Sequence, residues 1–358
     1  MGAAFADAYS GRRVLVTGHT GFKGSWLCAW LVRLGARVSG LSLAPDTDPS
    51  HWNLLQLAQV DSHVTDLRDA DGVARVVARS APEIIFHLAA QPLVRRSYRE
   101  PGDTFATNVT GLVNLFEAVR RVDTPRALVN ATTDKVYRPP SPVGGHREDD
   151  PLGGHDPYST SKACAELVSE CWRASYFRAR GVGLATARAG NVIGGGDWAE
   201  DRLVPDFVRA ACRGESLRLR HPEAIRPWQH VLEPLSGYLV LGAALLRGEP
   251  VDEAWNFGPE PSGDLTVGAL ASRIGEAWPG TRIDVDPGPH PHEAPALRLD
   301  SSKATGRLGW HPVWDVEATV SRTIDWYRAW HGRGQLQTDG DIEAYEDSAR
   351  RRGLAWAA

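Results

Sequence analysis

Arg13-Val-Leu-Val-Thr17 runs into Gly18-His-Thr-Gly-Phe-Lys-Gly24, and a helical pattern follows over 25–34. A short apolar strand, a glycine-rich turn and a helix in that order form the start of a nucleotide-binding unit. Glycines let a backbone approach a pyrophosphate, while the helix start offers unpaired N–H groups and positive potential. The spacing is wider than G-x-G-x-x-G, so the strand-turn-helix context carries the reading. That context predicts a dinucleotide on the turn.

Working outward, strand-like runs recur at 37–43, 84–88, 127–131 and 182–187, with helical patterns near 69–80, 108–122 and 157–179 between them. Such alternation predicts an α/β fold, a doubly wound parallel sheet covered on both faces. After Gly190 the rhythm breaks. Gly194-Gly-Gly196, several prolines and short mixed segments predict a smaller C-terminal α+β region that binds substrate. Ala254-Trp-Asn-Phe257 reads as one more strand of the main sheet. The expected division is 11–190 for the dinucleotide, with a returning segment near 228–260. Residues 191–227 and 261–335 would hold substrate, leaving 336–358 as a tail with a short helix. A last long helix is expected over 315–331.

The chain has 358 residues and a formal charge of −4, which argues against nucleic acid or membrane held by a basic field. No apolar run is long enough to span a bilayer, and the first residues do not read as a signal peptide or a myristoylation site. Cys28, Cys164, Cys171 and Cys212 lack C-x-x-C spacing, so free thiols in a reducing cytoplasm are expected. His290-Pro-His292-Glu293 is awkward for a metal, and none is expected.

Four lysines stand against thirty-six arginines, and three of the four lie in motifs: Lys23, Lys135 and Lys162. An ammonium can lose its proton where a guanidinium cannot. Tyr158-Ser-Thr-Ser-Lys162 puts phenol and ammonium one helical turn apart. The ammonium, with an oxidised nicotinamide, should lower the phenol toward service as a base. Thr133-Asp134-Lys135 follows the fifth strand at its carboxyl end, facing the same crevice. Adjacent carboxyl and amine can donate and accept a proton, as an elimination requires. At the end of the second strand neither an acidic residue nor an arginine stands, so NAD is favoured over NADP. Asp66 and Leu67 would meet the adenine, and Leu88, Ala89, Ala90 and Gln91 would line the cofactor.

These residues carry a resemblance. The chain resembles extended short-chain dehydrogenase/reductases of Rossmann type, and among them the nucleotide-sugar 4,6-dehydratases. Gly18-His-Thr-Gly-Phe-Lys-Gly-Ser-Trp26, Ala90-Gln-Pro-Leu-Val-Arg95, Arg188-Ala-Gly-Asn-Val-Ile-Gly-Gly-Gly-Asp-Trp198 and Ile225-Arg-Pro-Trp-Gln-His-Val231 are similar to that subgroup. Thr133-Asp134-Lys135, where most members carry Thr-Asp-Glu, resembles the subgroup acting on CDP-glucose. Tyr137-Arg-Pro-Pro140 departs from the subgroup's usual polar turn.

The resemblance implies oxidation at carbon 4, elimination of water across carbons 5 and 6, and hydride return to carbon 6. Tyr158 would take the 4-hydroxyl proton with Thr133 bonded to that oxygen. Lys135 would remove the carbon-5 proton as a protonated Asp134 supplies the departing hydroxyl, with swapped roles left open. It further implies NAD on Gly18, Thr20, Gly21, Phe22 and Gly24. Asn191, Arg202, Leu203, Arg226 and His292 would surround a nucleotide-sugar substrate, with Arg226 on its pyrophosphate. A homodimer or homotetramer is implied through the helices near 108–122 and 157–179. An epimerase would need tyrosine, lysine and NAD but no adjacent acid/base pair. A non-catalytic sensor would not need to keep the tyrosine and lysine.

Overall fold

The computed structural model describes residues 5–260, 263–290, 294 and 296–358, without the Ala6 side chain. Six strands come first: β1 (Arg13–Thr17), β2 (Arg37–Ser42), β3 (Asp61–Val64), β4 (Ile84–His87), β5 (Ala127–Ala131) and β6 (Gly183–Ala189). Four short strands follow: β7 (Val192–Ile193), β8 (Leu217–Leu219), β9 (Ile225–Pro227) and β10 (Gln229–His230). Then comes β11 (Ala254–Phe257). The main sheet has the order β11-β6-β5-β4-β1-β2-β3, and all of its pairs are parallel.

Residue alternation along β1 explains the two covered faces. Val14 and Val16 join a core with Ile84, Phe86, Trp26 and Trp30 on one side. Leu15 points the other way, to Leu41, Ile85, Leu128 and Phe116. Period-two alternation of apolar residues needs apolar cover on both sides, and the intervening helices supply it. The late strand Ala254–Phe257 adds to the sheet edge beside β6, as expected.

Three expectations need correction. The first helix begins at Phe22, inside the glycine turn, and runs to Arg33. Gly24 is already helical, and it must be glycine because a Cβ there would sit 2.0 Å from the Gly18 carbonyl oxygen. The pattern near 108–122 is a helix Pro101–Phe105, a wider turn Ala106–Thr110 and a helix Gly111–Arg120, without a break. The expected tail is a docked helix, Thr338–Arg351, whose Ile342 and Tyr345 are fully buried. Trp356 behind it stacks on Phe5, and Trp30 Nε1 donates to Glu346.

No helix among the described residues is long and apolar enough to cross a membrane. Glu233, on the helix Leu232–Leu246, ties the docked helix to the core. Its carboxyl accepts from Val313 and Trp314 N–H at 2.9 and 2.7 Å and from the Tyr345 hydroxyl at 2.7 Å. Burial pushes it from 4.5 up to about 7, against those donors. A raised folded-state value means the fold binds the proton more tightly than the unfolded chain, so this contribution is present in acid and fades as pH rises through about 7. The thermal midpoint of Glu233→Gln, relative to wild type, should therefore climb between about pH 5 and 8; a difference that stays level over that range would reject this assignment.

Candidate active site at the carboxyl edge of the sheet

β1 pairs with β2 on one side and β4 on the other. Loops leaving β1 and β4 therefore diverge, and a crevice of about 740 Å³ opens at the carboxyl ends of the strands. The glycine turn forms one wall. Gly18 has φ +75°, and a Cβ there would lie 2.7 Å from Ala89 N. Only glycine combines that backbone with that approach. No side chain caps the helix at Gly21. Its first-turn residues Phe22, Lys23 and Gly24 line the crevice, so helix N–H groups and their positive potential are presented to it. Thr20 Oγ1 is 2.8 Å from Ser42 Oγ and 2.9 Å from the Leu43 carbonyl, closing the turn on the end of β2.

Asp66, Leu67, Leu88, Ala89, Ala90 and Gln91 also line the crevice. Asp66 is held by Arg68, with a 2.7 Å ion pair, which keeps its carboxyl below the ordinary range. The Gln91 amide donates to Thr104 Oγ1 at 2.9 Å and accepts from Leu93 N at 2.7 Å, so it shapes the loop while its side chain turns inward.

The helix Pro157–Trp172 opens with Asp156 as cap, accepting from Ser159 N at 2.9 Å, and Pro157 in the first turn. Tyr158 and Lys162 then fall one turn apart on its buried face. Past β5, Thr133 is extended and caps a short turn Asp134–Val136. That turn drives Asp134 inward, to 1% exposure, and brings Lys135 into the crevice. Lys135 Nζ lies 3.3 Å from Asp134 Oδ1 and 3.5 Å from Asn191 Oδ1. Thr133 Oγ1 donates to Asp134 Oδ1 at 3.0 Å. Asp134 Oδ2 is buried without a partner, and a Cβ on Gly190 would come within 3.2 Å of it. An orphaned carboxylate oxygen beside a glycine is suited to a proton or a hydroxyl.

Burial dominates the electrostatics. The Tyr158 phenol is pushed up to about 12 by desolvation, with the Thr133 hydroxyl and Arg202 pulling down and Asp134 adding to the rise. The expected lowering by Lys162 is not what governs this phenol. Lys162 is itself pulled down to about 8 by burial, opposed by Glu166, and its Nζ donates to the Ala131 carbonyl at 3.0 Å. Lys23 is pulled down to about 7 by burial, then by Arg202. Sequence reading singled out Lys23 by residue type but gave it no role. The structure sets it 3.4 Å from Tyr238 Oη, within the influence of Asp134, Lys135 and Lys162.

Asn191, Arg202, Leu203 and Arg226 line the opposite wall. Arg202 pairs with Asp197 at 2.8 Å. Arg226 is buried, and its Nη1 donates to the Ile225 and Ala294 carbonyls at 2.9 and 2.8 Å. His292 lies outside the described residues. Asp134 sits beneath the crevice, and every other expected site residue that is described lines it.

A doubly wound sheet with a glycine turn and a tyrosine–lysine pair at its switch point defines a dinucleotide-dependent enzyme. The chain belongs to the NAD dependent epimerase/dehydratase family, whose model matches residues 14–258. It is 48% identical over 331 residues to the CDP-glucose 4,6-dehydratase of Salmonella typhimurium, covering 90% of this chain and 92% of that protein. Its fold superposes on the NAD complex of Thermus thermophilus UDP-glucose 4-epimerase with a TM-score of 0.77, at 28% identity, covering 88% and 99% of the two chains. DesIV, a dTDP-glucose 4,6-dehydratase from Streptomyces venezuelae solved with NAD and TYD bound, superposes with a TM-score of 0.76 at 26% identity, over 89% and 98%. NAD is the cofactor of this family, and the cleared glycine turn and uncapped helix start fit its pyrophosphate.

Gly18→Ala should lower stability by about 1–2 kcal/mol for the left-handed backbone alone and abolish the rise in thermal midpoint that NAD gives wild type. Gly306→Ala, where a Cβ meets nothing, is the control and should keep that rise. An intact NAD response in Gly18→Ala would remove the turn from the cofactor site.

Proposed function

We propose that the chain converts CDP-glucose to CDP-4-keto-6-deoxyglucose with loss of water. The observation that carries this is the contiguous Asp134-Lys135 pair, 3.3 Å apart, held next to Tyr158 and the cofactor turn. NAD, when bound, takes up a hydride from carbon 4 and returns one to carbon 6.

The chain handles the protons. Tyr158 removes the 4-hydroxyl proton, with Thr133 hydrogen-bonded to that oxygen and Arg202 favouring the phenolate. Lys162 lies one turn along the same helix. Lys135 then takes the carbon-5 proton, made acidic by the 4-keto group, and Asp134 protonates the departing 6-hydroxyl through its unpartnered Oδ2. Arg202 and Arg226 would hold the diphosphate, with Asn191 and Leu203 beside it; His292 is assigned to the same region from the sequence pattern. Cytidine rather than another base rests on the similarity to the Salmonella enzyme. An epimerase would use Tyr158, Lys162 and NAD alone, and would leave the adjacent acid/base pair without work.

The same reading assigns 11–190 and 228–260 to the cofactor and 191–227 and 261–335 to the substrate. It places the protein in the cytoplasm, consistent with four free thiols. It also makes the protein a homo-oligomer, since Leu167 and Tyr176 are exposed on the 157–179 segment expected at the subunit contact.

CDP-glucose deuterated at carbon 4 tests the reading directly. Purified enzyme with NAD should yield a product lighter by one water with deuterium retained on carbon 6; an unchanged mass rejects the reaction on this substrate. Asp134→Asn and Lys135→Met should each slow water loss by at least about 100-fold. Wild-type rates of water loss in both variants would remove Asp134 and Lys135 from the acid/base roles.

A further inference from the structure

Glu166 lies one turn beyond Lys162 on the buried face of the helix Pro157–Trp172. Its carboxylate is 4% exposed and pairs side-on with Arg188 of β6, which is equally buried. Arg188 Nε and Nη2 reach its two oxygens at 2.9 and 3.0 Å. Two hydroxyls complete the shell: Thr132 Oγ1 donates at 2.5 Å and Thr186 Oγ1 at 2.6 Å. The remaining Arg188 nitrogen, Nη1, donates to Tyr137 Oη at 2.8 Å and to the Glu148 carbonyl at 2.9 Å. Tyr137 in turn donates to Asn256 Oδ1 at 2.6 Å.

These bonds bracket the catalytic turn. Lys162 grips the Ala131 carbonyl and Glu166 grips Thr132, the two residues that enter Thr133-Asp134-Lys135. Arg188 grips Tyr137, the residue that leaves it. Burying an ion pair is a weak route to stability, because desolvation offsets most of the attraction. An apolar pair would fill this space as well, but it would not grip the turn or carry charge.

We infer that the Glu166–Arg188 pair is a positioning device for the reaction proposed above: it locks both ends of the Asp134-Lys135 turn, and Glu166 serves as the buried counter-ion that keeps Lys162 an ammonium. Other charges around Lys162 do not supply that counter-ion. Lys23 on the glycine-turn helix and Lys135 are amines and carry no negative charge in either protonation state, and His87 on β4 is buried and neutral, pulled down to about 3. Asp134 already answers to Lys135, and Tyr158 on the same helix is a protonated phenol. Arg188 shares Glu166 and limits how much of its charge reaches Lys162.

Having four lysines makes a direct test practical. The full-length protein is labelled with ¹³C at the lysine ε-carbon, and the Lys162 resonance is assigned by Lys162→Arg and titrated. In Glu166→Gln its midpoint should fall by at least about one pH unit, a tenfold loss of proton affinity. In Arg188→Gln it should rise, because Glu166 then faces Lys162 with its charge unshared. A merely structural pair would lower the thermal midpoint in both variants without moving the lysine in opposite directions. Midpoints within about 0.3 unit of wild type in both would overturn the inference. If a single variant does not fold, Glu166→Gln/Arg188→Gln leaves no unpaired buried charge there. Its Lys162 midpoint should also fall, and one equal to wild type overturns the inference. The titration uses no sugar, so it stands or falls separately from the dehydratase assignment.

Discussion

Parallel pairing of β4 against β1, after the chain has already laid β2 and β3 on the far side, is the constraint on which the rest depends. It splits the loops that leave β1 and β4 and opens the crevice between them. The glycine turn, Leu88 to Gln91 and the Thr133–Lys135 turn are all carboxyl-end loops of neighbouring strands. Strand spacing alone then brings them within a few ångströms. Had β4 paired outside β3, the glycine turn and the tyrosine helix would lie on different edges.

Within that crevice, loss of water decides the chemistry more than any single pair. Burial raises the phenol of Tyr158 and lowers the ammonium groups of Lys23 and Lys162, so each group is drawn toward its neutral form. Specific partners then correct this tendency. Arg202 and Thr133 pull the phenol back, and Glu166 supports the Lys162 ammonium. Asp134 and Lys135 are adjacent, one buried beneath the crevice and the other lining it.

The C-terminal part shows the opposite economy: polar groups used to hold elements together. Glu233 spends its carboxyl on two backbone N–H groups and the Tyr345 hydroxyl, anchoring a helix whose outer face is charged. This helix packs on the one that begins at the glycine turn, through Trp30, Tyr345 and Glu346. Docking of the last residues thus backs the cofactor wall from behind.

By itself the sequence determined what is local. Period-two apolar runs, the glycine turn and the Tyr158/Lys162 spacing are short-range patterns, and they were enough for the doubly wound sheet and for a set of residues that the fold gathers around one crevice. Lysine scarcity marked the chemistry because residue type survives without coordinates. What lies far apart in sequence was decided by the tertiary structure. That includes the pairing of Glu166 with Arg188, the approach of Lys23 to Asp134, the inward turn of Gln91 and the docking of the last helix. The governing terms there, desolvation and partner geometry, depend on which surfaces the fold buries against each other. No window of the sequence contains that information.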